Sequence, residues 1–197
     1  MANYVVFDLE WNAPISRGKI YRNDAVDLYG EIIQIGAVKL NDELDVIDTF
    51  STMVKPQYYT KMNKEISELT SITDADLEKG ISFKEAAENF LSWCGEDAAL
   101  LSWGDSDLQQ LEDNSLLHGM SLDWIPEWFD AQLMFDDQIT MEGRSFSLDY
   151  ACYTFGITGS AAHDALHDAI ATAEVMKRLE VASWIEEERA YREEEAV

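Results

Sequence analysis

The segment VVFDLEWN, residues 5–12, ends an apolar run in two acids, Asp8 and Glu10, with one leucine between them. In an extended strand, residues two apart share a face, so both carboxylates point one way and Leu9 points the other. Like charges held side by side raise each other's pKa unless a cation compensates. Mg²⁺ and Mn²⁺, which prefer carboxylate oxygens, would supply that compensation. The pair alone equally describes solvated acids at the end of a strand. A second group, SWGDSDLQQLE, places Asp105 and Asp107 where a short apolar strand meets a helix, and ligands gather at such strand ends in α/β sheets. Either acid would also serve as a helix cap or as a first-turn acid favourable to the dipole. In the third group, AHDALHDAIATAEVM, His163 precedes Asp168 by five positions. With His163 in the loop before a helix, the two would border one cavity; the bland alternative is a surface histidine and a solvated acid.

These residues need elements to hold them. NYVVFDLEW reads as a buried strand with a polar exit, followed by a polar, irregular loop over residues 13–30. EIIQIGAVKL and LDVIDTFSTMVKP are the next strands, with Asn41-Asp42 as the turn between them. Three strands in succession predict a meander. Helical patterns follow: SFKEAAENFLSWCG has a Ser82 cap, a Glu85 three residues on and a stop at Gly95. AALLSWG is a short strand, DSDLQQLEDNSLLHG a helix, WFDAQLMF ambiguous between the two, and SLDYACYTFGI a helix closing at Gly156. Residues 163–188 carry one helical apolar stripe through Leu166, Ala169, Ala173, Met176 and Leu179, and the acidic tail EEERAYREEEAV is expected to fray. The sum is an α/β domain with a mixed sheet.

The chain's 197 residues suffice for one domain with a sizeable core. It holds 14 Lys and Arg against 39 Asp and Glu, a net charge of −25, with no Lys or Arg between Lys84 and Arg144. Such a chain repels polyanions at long range. Its two cysteines, Cys94 and Cys152, lie in apolar surroundings without metal-binding spacing, as buried free thiols do. No apolar run approaches the roughly eighteen residues of a membrane span, and MANYVVFD lacks the pattern of a signal peptide. The expectation is a cytoplasmic protein without membrane contact.

The three acid groups together resemble the DEDDh family of 3′–5′ exonucleases, within the ribonuclease H-like superfamily. FDLE is similar to the family's first motif, SWGDSD to its second through Asp107, and HDALHD to its third through His163 and Asp168. EIIQIGAVKL, LTSIT and FDAQLMF sit between them in the family's order. DLEWN and SWG bring the chain closest to the KapD and ERI-1-like branch. One position departs: Ser71 in LTSIT stands where the family often has glycine.

The resemblance implies an exonuclease domain over residues 1–185 with an acidic tail over 186–197. It further implies an antiparallel meander continued by parallel strands and flanked by helices. Asp8, Glu10, Asp107 and Asp168 would hold two Mg²⁺ or Mn²⁺ ions, Asp8 bridging both, and His163 would act as general base. Such an ion pair activates water, relieves transition-state charge and stabilises the leaving oxygen. Leu9 through its backbone, with Trp11, Asn12, Leu69 and Thr70, would cradle the terminal nucleotide. Trp11 and Trp103 offer rings to stack on bases, a sequence-tolerant contact of about 1–3 kcal/mol; each is equally a core or rim aromatic. Arg17, Lys19 and Arg22 form a basic island that either meets phosphates or decorates a loop.

Because the ions carry positive charge to the point of contact, short or single-stranded RNA or DNA 3′ ends are the expected substrates. Few phosphate contacts then predict a shallow salt dependence. Two rivals stand beside this reading. His163 and His167, at i and i+4, have the spacing of a helical zinc site. Alternatively, an inactive module of the same fold docks a basic protein partner. The sequence carries no signal of oligomeric state.

Overall fold

The computed structural model describes residues 3–16, 19–158 and 163–195. In chain order the elements are β1 (Asn3–Asn12), β2 (Tyr21–Arg22), β3 (Asp27–Leu28), β4 (Glu31–Leu40), β5 (Val46–Met53), α1 (Lys64–Thr70), α2 (Asp74–Leu77) and α3 (Phe83–Cys94). They continue as β6 (Ala98–Ser102), α4 (Ser106–Leu117), β7 (Trp128–Asp130), α5 (Ala131–Phe135) leading into a π-turn over Asp136–Thr140, α6 (Leu148–Phe155), α7 (Ala165–Met176) and α8 (Val181–Glu195). Five strands form one sheet in the order β5-β4-β1-β6-β7. The β1–β4 and β4–β5 pairs are antiparallel, and the β1–β6 and β6–β7 pairs are parallel. This is the expected mixed sheet.

The period-two alternation of β1 sorts its side chains between two cores. Tyr4 and Val6 join Val38, Leu40 and Leu101 under α7 and α8, while Val5, Phe7 and Leu9 join Ile35, Ala37 and Leu100 under α3 and α4. Asp8 and Glu10 continue the Tyr4–Val6 face, so the acids emerge where the α7-side core ends. Small residues let α7 come close: Ala165, Ala169 and Ala173 are wholly buried.

Several predicted elements take a different form. Within loop 13–30, residues 21–28 pair as the β2–β3 hairpin, whose Leu28 packs with Leu117, Tyr58 and Tyr59. WFDAQLMF is both things in turn, strand β7 and then helix α5, because the Asp130 side chain caps the helix at Gln132 and Leu133. The single helix expected over 163–188 breaks between Met176 and Val181. There the Glu180 N–H is captured by Gln138 Oε1 at 2.8 Å, a tertiary cap with no local sequence signal. The tail does not fray within the described residues: α8 runs to Glu195, with Arg189 paired to Glu127 and Arg192 Nη1 donating to the Trp128 carbonyl on the sheet edge. Both thiols are buried, and burial pushes Cys94 up to about 12. Among the described residues, no helix is long and apolar enough to cross a membrane.

Candidate active site

The three acid groups meet at one end of the sheet. A cavity of about 300 Å³ is lined by Asp8, Leu9, Glu10, Trp11, Ile66, Leu69, Thr70, Trp103, Ser106, Asp107, His163 and Asp168. All five predicted catalytic side chains border it. Strand β1 supplies the floor. Asp107 enters from the first turn of α4, buried, and its Oδ1 accepts the Leu9 N–H at 2.9 Å. Asp105, the alternative acid, is exposed outside the cavity as the helix's cap residue, without a side-chain capping bond.

The third group arrives on α7. Asp164 caps that helix, its side chain accepting from His167 N, and His163 lies just before it in a left-handed backbone conformation (φ 67°). The His163 N–H donates to Asp168 Oδ2 at 2.9 Å, so the loop and the helical acid are locked together. Glu10, His163 and Asp168 can each present one ligand atom with all three atoms within 4.8 Å of one another. His167 takes no part, since its Nδ1 is 2.8 Å from Asp164 Oδ1. His163 precedes α7, which begins at Ala165, so the two histidines do not share a helix face as the zinc spacing would require.

Crowding leaves its mark on ionisation. Burial, then the charges of Asp107, Asp168, Glu10 and Asp164, raise Asp8 well above the ordinary carboxylate range. Burial, then Asp168, Asp107 and Asp164, push Glu10 up to about 8. Burial raises Asp107 to about 7 against the pull of the Leu9 N–H, and burial also raises Asp168. Four buried or half-buried carboxylates that each resist ionisation, all with hard oxygen donors, fit a divalent cation.

The predicted substrate contacts divide. Trp11, Leu69 and Thr70 line the cavity wall, Leu69 about half exposed, at 52%. Leu9 offers only its backbone, because its side chain is buried in the α3-side core. Trp103 is a rim aromatic, its Nε1 donating to the Phe146 carbonyl at 2.9 Å and its ring against Phe135. Asn12 departs from the expectation. It is fully buried, its Nδ2 donating to the Tyr59 and Lys61 carbonyls and its Oδ1 accepting from Asn63 N. It ties β1 to the start of α1, with both amide hydrogens used and no exposed surface to meet a ligand. Ile66 and Ser106 were not anticipated; Ile66 lies three residues before Leu69 and so shares its helical face. Of the basic island, Arg17 lies outside the described residues, Arg22 pairs with Asp27, and Lys19 lines a separate cleft with Tyr58 and Lys61. Neither Lys19 nor Arg22 lines the acid cavity.

A mixed sheet with an acid-lined cavity at the ends of β1 and β6, bordered by His163, is the arrangement of a nuclease of ribonuclease H-like fold. Residues 5–176 match the RNase T exonuclease family, and the chain belongs to that family. Among its relatives is the probable 3′–5′ exonuclease KapD of Bacillus subtilis, 27% identical over 160 residues that cover 78% of this chain and 75% of the relative. The PolC-type DNA polymerase III of Thermotoga petrophila is 32% identical over 148 residues, 75% of this chain; the match spans only 10% of the polymerase's length. Of solved structures, the nuclease domain of 3′hExo, a DEDDh family member bound to rAMP, superposes with a TM-score of 0.76 at 20% identity, covering 89% of this chain and 90% of that one. Exonuclease I of E. coli in complex with a dT13 oligonucleotide gives 0.69 at 18% identity, over 90% of this chain and 40% of the other.

Proposed function

We propose that this exonuclease removes nucleoside monophosphates stepwise from the 3′ end of short or single-stranded nucleic acid, with two Mg²⁺ or Mn²⁺ ions held by Asp8, Glu10, Asp107 and Asp168. The observation that carries the proposal is the convergence of those carboxylates and His163 on one cavity. When bound, the cations supply charge neutralisation and an acidified water. The protein's own residues do the rest. The wall of Trp11, Leu69 and Thr70 excludes water from a terminal nucleotide and orients it. His163, free of the α7 ladder, takes the proton of the attacking water as its oxygen bonds to phosphorus and the bond to the preceding 3′ oxygen breaks, that oxygen taking up a proton from solvent. The products are a mononucleotide and a strand one unit shorter with a 3′ hydroxyl.

The −25 net charge and the absence of Lys19 and Arg22 from the acid cavity's lining support short engagement of the strand. Few phosphates are neutralised by side chains, so the rate should fall only weakly with salt. A panel of 5′-labelled RNA and DNA, single and double stranded, with Mg²⁺ or Mn²⁺, tests the reading. A ladder shortening from the 3′ end of single strands is expected. Internal cleavage, or a steep loss of rate with salt, would contradict it.

A further inference from the structure

We infer that Gln34, on β4 and outside the predicted acid groups, is the positioning residue that sets His163 and Asp168 over the β1 acids; the inference rests on the function proposed above. The register of the sheet carries it. Across the antiparallel β1–β4 pair, Glu10 stands opposite Gln34 and Asp8 opposite Gly36, and paired residues share a face. Beside the two acids, β4 therefore presents a buried amide and then no side chain at all.

Each half of that arrangement acts on the start of α7. At Gly36 a Cβ would come within 2.1 Å of Leu166 N and 2.2 Å of the Ala165 carbonyl carbon. Only glycine lets the helix backbone rest on the strand. Gln34, 8% exposed, then grips the helix end with both ends of its amide. Its Nε2 donates to Asp164 Oδ2 at 3.3 Å, and its Oε1 accepts the Ala165 N–H at 3.3 Å. The other carboxylate oxygen of Asp164 accepts His167 N at 3.1 Å. The cap residue is thus fixed from the strand below and the helix above. His163 adjoins it in sequence, and the His163 N–H to Asp168 Oδ2 bond closes the ring.

The chemistry of position 34 is narrow. A glutamate there could still accept from Ala165 N but would set a third carboxylate between Glu10 and Asp164. A methionine of similar shape would leave the Ala165 N–H and an Asp164 oxygen unmatched. Either change releases the α7 start without touching a proposed ligand.

Gln34→Met and Gly36→Ala test this from opposite directions, one loosening the helix start and one pushing it. Steady-state cleavage of a labelled single strand and the Mn²⁺ concentration that half-saturates the thermal shift are measured for each and for the unaltered protein. Both variants should lose about tenfold or more in kcat, as misplacement by an ångström or less can cause, with KM changed less than about twofold. Both should need several times more Mn²⁺ for the half-maximal shift. A Gln34→Met protein with unaltered kcat and Mn²⁺ midpoint overturns the inference while leaving the function intact. So does a lower Tm with an unchanged Mn²⁺ midpoint and a loss in kcat that Gly36→Ala does not share. If the unaltered protein neither cleaves nor responds to Mn²⁺, the function and the inference fall together.

Discussion

Asp107 Oδ1 accepts a hydrogen bond from the backbone N–H of Leu9 at 2.9 Å, joining two acid groups 98 residues apart in the chain. Leu9 is the spacer between Asp8 and Glu10, so this bond fixes α4 against the strand that presents the other two carboxylates.

That bond separates structure from function at one residue. Asp107→Asn keeps an acceptor for Leu9 N–H and removes a buried charge from a crowded cluster. The metal-free protein should melt at the same temperature or slightly higher, while cleavage falls by a factor on the order of 10³. Asp107→Ala loses the acceptor as well and should cost about 1–3 kcal/mol of stability for the buried N–H left unmatched. Thermal denaturation alongside a cleavage assay checks both. An active Asn variant would remove Asp107 from the site.

The raised carboxylates give the metal-free protein a pH-dependent stability. Glu10 titrates near 8 and Asp107 near 7 when folded, above their ordinary values of 4.5 and 3.8. The folded state therefore binds more protons than the unfolded one between those limits. Stability from these groups is complete below about pH 4 and is lost as pH rises through 7 to 8. In chelator, Tm should decline across that window, and Glu10→Gln should flatten the decline. Added Mn²⁺ should restore more stability at pH 8 than at pH 5.5, because ligation displaces those protons. A Tm rising from pH 5.5 to 8 in chelator would contradict the crowding.

His163 can serve as base or as ligand, and the two roles give different variants. As base, His163→Ala should lose about 10²- to 10⁴-fold in kcat with the Mn²⁺ midpoint of the thermal shift unchanged. A midpoint raised in step with the lost rate would make the imidazole a ligand.

The departure at Ser71 has a conformational consequence. Ser71 closes α1 with φ 62° and ψ 7°, in the left-handed region where glycine carries no Cβ penalty. Ser71→Gly should stabilise the protein by about 1 kcal/mol. Because Leu69 and Thr70 immediately precede it on the cavity wall, KM should move little. Chemical denaturation reads the difference; a destabilised Gly variant would show that the serine's own contacts outweigh the backbone.

What the sequence disclosed follows from which forces are local. The direction of Asp8 and Glu10 came from strand alternation, and the α3 boundaries came from the Ser82 cap and Gly95 stop, both nearest-neighbour effects. The tie that Asn12 makes was not legible because its partners, Tyr59, Lys61 and Asn63, are brought in by the fold. Gln34 sat unremarked in an apolar strand, and only the Glu10 register shows which helix it holds. The break after Met176 likewise depends on Gln138, some forty residues away, which no local pattern announces.

The central proposal is that Asp8, Glu10, Asp107 and Asp168 hold two divalent ions beside His163. Calorimetric titration of Mn²⁺ into chelator-treated protein near pH 8 tests it most directly. Two ions bound per chain, with proton release and with binding abolished by Asp8→Asn, is the predicted result. An isotherm showing no uptake, or uptake indifferent to Asp8→Asn, would contradict it.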